Sequence, residues 1–394
     1  MRFIRELFWL CKLNSFIIYC DTMHAMKMKM GRNYHNNYIT IAKAVGIILM
    51  VLGHSGCPQV LFNLIYLFHM PLFFFCSGLF FKDISTIDKA YLFLRKRIKS
   101  LYFPFLKWSV FFLLLHNLLL YVGIYNSYYG FEGGSSFLCI KDMIIKLGFI
   151  VFTMHDYEEL LGGFWFIRTL LLSSIMIIAF SLLLGNRLKY KSELMCLLFG
   201  VLTIMIRRFT PDFGIWRDMS MGTFGALFFM IGNLLFHKLC IWNKNGFTAI
   251  ICCLILFFSL LYFKNEVKME CGFNKVIPYF ISAISGIILV FIVSIKVDKK
   301  KGIIRSLLYN IGNHTFVILA LHFLCFRFCS FFIVTIYDMD SIHVAEHPVI
   351  KDTNAFFGSF WWIIYWHVGV FVPLLINWVW RVGVNRLIRY DYGL

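Results

Sequence analysis

The chain alternates long apolar runs with short polar, mostly basic, connections. Ten runs are predicted to be membrane spans: Tyr38–Gly53, Val60–Phe81, Tyr102–Ile124, Phe164–Leu184, Leu194–Ile206, Met221–His237, Gly246–Phe263, Val276–Ile295, Leu307–Phe332 and Trp361–Trp380. A helix needs about 20 apolar residues to cross the hydrocarbon core. Leu194–Ile206 is shorter than that, and the first run carries Lys43. Inside a bilayer only helices and closed barrels satisfy every backbone group. Barrel strands alternate in segments of about 10 residues, which these continuous runs do not do. The pattern therefore predicts an all-α polytopic membrane bundle of about ten helices.

Composition agrees. Of 394 residues, 60% are hydrophobic and 15% charged, and Phe alone accounts for 46. Mean hydropathy is +0.77. A soluble surface needs about 25% charged residues, so a water-soluble fold is excluded. The net charge of +18 is distributed by side. Roughly 25 Lys and Arg fall in the termini and the connections on the terminal side, and about 9 in the opposite connections. The terminal side carries Lys82, Arg95, Lys96, Arg97 and Lys99, then Lys296, Lys299, Lys300, Lys301 and Arg305. The positive-inside rule then puts both termini in the cytoplasm. These charges sit in short connections, so they favour anionic lipid head groups over nucleic acid.

One membrane domain, 38–385, is expected between an N-terminal segment, 1–37, and a short cytoplasmic tail, 386–394. Phe3–Cys20 is semi-apolar but interrupted by Arg5, Glu6 and Lys12, so it reads as an interfacial helix or as sequence upstream of a start at Met23, Met26, Met28 or Met30, not as a signal peptide. The 12 cysteines show no metal-type spacing, and no metal site is expected. Cys139 and Cys271, both in outer connections, are the one disulfide pairing to consider.

Polar residues within spans carry the candidate chemistry, because each is expensive there. Lys43 and His54 are eleven positions apart. At about 100° and 1.5 Å per residue they share one helical face with a separation of roughly 16 Å. A cation near the cytoplasmic half and an imidazole near the outer half suit transfer of part of an anionic donor outward. The simpler reading is a snorkelling lysine and a loop histidine. The second span contains His69, close in depth to His54, and Pro71, which can kink the helix. Ser77 and Gly78 permit close helix packing. Arg168 needs a partner, for which Asp156, Glu158 and Glu159 just upstream are the candidates. Arg327, Lys107, His116, His237 and His367 read as interfacial or packing residues.

The stretch Ile41–His54, followed by Phe68-His69-Met70-Pro71-Leu72-Phe73-Phe74-Phe75 and Ser77-Gly78, resembles acyltransferase family 3, and within it the fucose 4-O-acetylase-like branch. Gly163-Phe164-Trp165-Phe166 is similar to that family's Trp-Phe segment, and Ile311–Thr315 leading to His322 to its late span ending in a His. The family's first span has Arg, ten residues, then His; here Lys43 replaces the Arg, keeping the charge but not the bidentate fork. The resemblance implies an O-acetyltransferase of the bacterial inner (plasma) membrane with no bound cofactor. Its donor would be cytoplasmic acetyl-CoA or another acyl-CoA. Its acceptor would be a sugar hydroxyl on a surface glycan or lipid-linked precursor. It implies His54 as catalytic base, and Lys43, His69, Trp165, Arg168 and His322 as substrate- or donor-binding residues. Lys43 and the run Arg95-Lys96-Arg97 are the candidate partners for the donor phosphates.

Two other classes compete. A transporter or flippase would place Asp or Glu within its spans and show paired broken segments, and neither is evident. A non-catalytic subunit of a polysaccharide assembly would not depend on His54.

Overall fold

Long apolar runs become helices because nothing else satisfies their backbone in lipid. The computed structural model describes residues 37–130, 133–155, 158–185, 188, 190–235, 246–263, 268–269, 275–351 and 360–392. Its elements are α1 (Asn37–His54), α2 (Gln59–Tyr66), α3 (His69–Gly78), α4 (Ile87–Tyr121), α5 (Ile140–Thr153), α6 (Trp165–Leu184), α7 (Lys191–Phe209), α8 (Gly214–Leu235), α9 (Gly246–Phe263), α10 (Val276–Lys299), α11 (Ile303–Asn313), α12 (Thr315–Ile336) and α13 (Trp361–Tyr392). There is no strand among the described residues. The N-terminal segment and the alternative starts lie outside them, as do Cys271 and His237. Residues 39–394 form one compact unit.

Nine helices among the described residues are long and apolar enough to cross a membrane, with α2 and α3 acting as one. The remaining expected span, the fifth in chain order, is α7, which carries Lys191, Glu193, Arg207 and Arg208 near its ends. Geometry decides its role. Arg168 meets Asp218 and Ser173 meets the Gly222 carbonyl, so α6 and α8 run parallel. Ser181 meets Met195, and Thr203 meets Thr223, so α7 runs antiparallel to both. A 19-residue helix rises about 28 Å, so α7 returns the chain across the same thickness.

Four spans differ from the expected bounds. Met221–His237 begins earlier, at Gly214, and Leu307–Phe332 divides into α11 and α12, with the crossing helix starting at Thr315. The third begins at Ile87, because the basic segment Arg95-Lys96-Arg97 is already helical and joins the apolar part through a π-helical turn at Ile98–Tyr102. The second is broken at Leu67–Phe68, where Phe68 leaves helical geometry. Pro71 stands in the first turn of α3, where its missing N–H is tolerated. The Phe68 ring fits against Gly286 of α10, where an added Cβ would fall 2.2 Å from it.

Close approach and polar side chains hold the helices together, since lipid supplies no hydrophobic drive between them. An added Cβ at Gly78 would lie 1.8 Å from the Phe229 carbonyl oxygen, and one at Gly232 would lie 2.2 Å from that of Phe75. Thr203–Thr223, Ser259–Ser282 and Ser330–Tyr365 are hydrogen-bonded across helix pairs. Tyr279 donates to the Tyr66 carbonyl and Trp366 to that of Ile48. α12 is the most buried of the spans and α9 the least.

Charge asymmetry sets the orientation, and reporter fusions test it. Fusions at Lys96 and Lys300 are expected to read cytoplasmic, and fusions at Tyr129 and Ser341 external. The reverse pattern would remove the assignment of sides.

Candidate active site

The apolar face of α1 is not closed by its neighbours. Ile39, Lys43, Ile47, Met50 and His54, at steps of four, four, three and four, line a cavity of about 310 Å³. The break before α3 turns Tyr66, His69 and Phe73 into the same space, and Cys76 and Ser77 continue that wall. Trp165 and Phe166 open α6 on another side, and Phe316 and Leu319 of α12 complete it. The lining is mainly apolar, with Lys43 and His54 toward opposite ends of one helix face.

Around His54 the rings are dense. Its ring centroid is 5.6 Å from that of His322, 5.0 Å from Phe323 and 6.3 Å from Tyr66. The Tyr66 ring stands 4.7 Å from His69. His69 Nδ1 donates to the Ile65 carbonyl at 2.9 Å. His322 Nδ1 donates to the carbonyls of Leu319 at 2.9 Å and Ile318 at 3.2 Å. A carbonyl only accepts, so Nδ1 carries the proton in both rings and Nε2 holds the lone pair of the neutral form. His322 Nε2 is buried and has no hydrogen-bond partner.

His347, in the connection after Ser341–Ala345, packs its ring 4.7 Å from Phe323. Burial, then the charges of Arg327, His322 and Lys351, push its pKa down to about 3. It is therefore neutral at pH 7. No group of three or more His, Cys, Asp or Glu among the described residues is arranged to hold a metal ion.

Of the residues singled out from sequence, Lys43, His54, His69 and Trp165 line the cavity, and His322 contacts His54 from behind Phe323. Arg168 does not join them. It pairs with Asp218 of α8, not with the acidic residues upstream. Glu158 is held by His116 at 3.2 Å and by Tyr125 at 3.1 Å, and Glu159 faces Arg327. Asp156 lies outside the described residues. A partner in a parallel helix, fifty positions away, cannot be found by looking upstream. Of the basic run, Arg95 and Lys96 are exposed. Arg97 turns inward, donates to the Ser77 carbonyl at 3.2 Å, and lies over the rings of Phe93 and Phe229.

Of the two readings open for Arg327 and His116, interfacial or packing, burial selects the second: both are buried and hydrogen-bonded. Cys139 is a free thiol that donates to Asp142 at 3.1 Å, and Cys271, the other half of the pairing considered, lies outside the described residues. Sequence reading missed Tyr66, Phe323 and His347. Only the proline two residues after His69 signalled a break that turns Tyr66 inward.

These features define a polytopic helical membrane protein with an imidazole-bearing cavity running along its first span. The acyltransferase domain that defines acyltransferase family 3 matches residues 36–382. The chain belongs to that family and is a membrane acyltransferase. Comparisons with curated proteins and with solved structures gave no match.

Proposed function

We propose that this acyltransferase moves an acetyl group from cytoplasmic acetyl-CoA to a sugar hydroxyl of a surface polysaccharide or its precursor, as in the fucose 4-O-acetylase-like branch. The observation that carries this reading is the single cavity lined by Lys43 and His54. Its length along α1 is about 16 Å between those two residues. Its apolar walls suit a thioester on a long flexible arm, and Lys43 gives the donor phosphates a cation.

In the chemistry, His54 takes the proton of the sugar hydroxyl as its oxygen attacks the thioester carbonyl. The C–O bond forms, the C–S bond breaks, and the imidazolium returns the proton to the leaving thiolate. The products are the ester and free thiol. A positioned base of this kind contributes about 10²–10⁴-fold. His322, with Nδ1–H fixed on its carbonyls, keeps an unpartnered Nε2 on a ring whose centroid is 5.6 Å from that of His54, and is the group placed to orient it. A base held by a third group is the usual arrangement for activating a hydroxyl.

The direct test is transfer of label from acetyl-CoA to glycan in membranes with and without the protein, together with the acetyl content of the cell's surface glycans. Equal acetylation in both would end the proposal. For the donor end, Lys43→Ala is expected to raise the acetyl-CoA concentration needed for half-maximal rate by about tenfold, the loss of one charge-assisted contact. Lys43→Arg is expected to keep most of the activity. Equal KM for acetyl-CoA in all three proteins would reduce Lys43 to a snorkelling anchor.

A further inference from the structure

A second cavity opens beyond the His54–His322 contact. It is a cleft of about 1000 Å³ between the end of α4 and the second half of α12. Its side walls include Tyr121, Phe328 and Phe331, all exposed although they belong to or adjoin membrane-crossing helices. The cleft is therefore open sideways to lipid. Its rim is polar, with Asn126, Ser135 and Ser341 from the connections.

Arg327 lies at its floor, only 2% exposed. Nη1 of Arg327 donates to the Glu346 carbonyl. Nε and Nη2 have no hydrogen-bond partner. Facing it is Glu159, buried and set behind the residues that line the cleft. Ser135 donates to its Oε1 at 2.6 Å, while Oε2 is buried without a hydrogen-bond partner, 3.8 Å from Arg327 Nη2. Glu158 does not fill the gap, being engaged by His116 and Tyr125. A desolvated donor and a desolvated acceptor thus face each other at a distance too long for a direct hydrogen bond.

The group that completes such a pair is a hydroxyl. It accepts from the guanidinium and donates to the carboxylate, and an oxygen placed between atoms 3.8 Å apart reaches about 2.8 Å from each. A free anion would meet the arginine but be opposed by the two glutamates. Sugars supply hydroxyls on rigid frames, and exposed aromatic side chains at a membrane interface suit a molecule that is half sugar and half hydrocarbon.

We propose that this cleft is the acceptor site and that it takes a saccharide carried on a lipid. Sugar hydroxyls bridge Arg327 and Glu159, and the lipid chain leaves sideways past Tyr121, Phe328 and Phe331. The word acceptor rests on the acyltransferase reading given above; the binding itself does not. Arg327 is five residues beyond His322 on α12, a rise of about 7.5 Å. Phe323 and His347 line the way between, with the Phe323 ring touching both His54 and His347. Five residues also turn the helix by about 140°, so the cleft reaches toward His54 by way of His347, which packs on Phe323, and not along one face of α12.

The test uses the full chain in phosphatidylcholine nanodiscs and a photoreactive alkyl maltoside as probe. Labelling is expected on peptides spanning 120–128 and 327–331. Unlabelled alkyl maltoside should compete, while maltose alone and added phosphatidylcholine should not. Arg327→Lys and Glu159→Gln are expected to weaken labelling by about tenfold, as for a lost charge-assisted hydrogen bond. Should either buried variant fail to fold, Phe331→Ala and Tyr128→Ala carry the test, because both side chains line the cleft and are exposed, so their removal takes nothing from the packed bundle. Equal competition by phosphatidylcholine would make the cleft a site for any annular lipid and overturn the proposal. Full competition by maltose would overturn the lipid-carried part. Labelling unchanged in all folded variants would leave only a water between Arg327 and Glu159 and overturn it as well. No outcome requires acyl transfer, so an inactive preparation does not decide it.

Discussion

His54→Ala removes acetyl transfer to glycan while the protein still folds and inserts: that is the result expected of membranes carrying the variant. The loss should be about 10²-fold or more, the range for a missing general base. The reasons are positional. His54 ends α1, lines the cavity and touches His322, Phe323 and Tyr66 through ring contacts alone. Among the described residues, replacing it breaks no side-chain hydrogen bond. His54→Gln sharpens the result, because glutamine still forms hydrogen bonds but takes up no proton at neutral pH. A packing histidine would tolerate Gln; a base would not. Initial rates from labelled acetyl-CoA, at matched membrane levels, decide between them. Near-normal transfer by His54→Gln would move the base to His69 or His322.

How much of this site was legible beforehand depended on how local the signal was. Lys43 and His54 lie on one helix, so helical periodicity alone placed them on a shared face, and the cavity follows that face from Ile39 to His54. His69 and Trp165 were flagged by short motifs, and tertiary packing brought them to the same space. Arg168 marks the limit. Its depth in a span demanded a partner, but Asp218 is reached only through the parallel packing of α6 on α8, which no pattern within either helix encodes. The same holds for Glu158 with His116 and Glu159 with Arg327. The rule that an ionisable group in a span has a polar partner called for such pairs but did not say which.

The fold shows a similar division. Hydropathy located the spans because length and apolarity are one-dimensional properties, but the starts of the third, sixth and ninth lie 7 to 15 residues from the expected positions, where polar or basic residues continue a helix or a short helix precedes it. The break at Leu67–Phe68 was displaced from the expected kink at Pro71, since Gly286 on α10 receives the Phe68 ring. Likewise α7 is a span less by composition than by its antiparallel fit between α6 and α8. Where a helix is determined by its neighbours, its own sequence is a weak guide.

Gly78→Ala is expected to destabilise the protein by about 3 kcal/mol or more, at the upper end of overpacking effects. The new methyl carbon would fall 1.8 Å from the Phe229 carbonyl oxygen, with the carbonyl carbon at 2.7 Å. Both are backbone atoms of α8, so no rotamer change relieves the contact, and α3 must move away from α8. Gly232 faces Phe75 across the same crossing, so the separation also loosens a second close contact. The wall formed by Cys76 and Ser77 belongs to this end of α3, and Arg97 is anchored on the Ser77 carbonyl. Displacement should therefore disturb that wall of the cavity along with the stability. Gly148→Ala is the matched control, because a Cβ at Gly148 in α5 meets nothing within 4 Å. There the change should be neutral or stabilising by up to about 1 kcal/mol through helix propensity. Thermal melting of both variants in the same nanodiscs reads the contrast. Equal melting of Gly78→Ala and wild type would mean that α3 and α8 are not in backbone contact, and the packing that fixes the cavity wall would have to be redrawn.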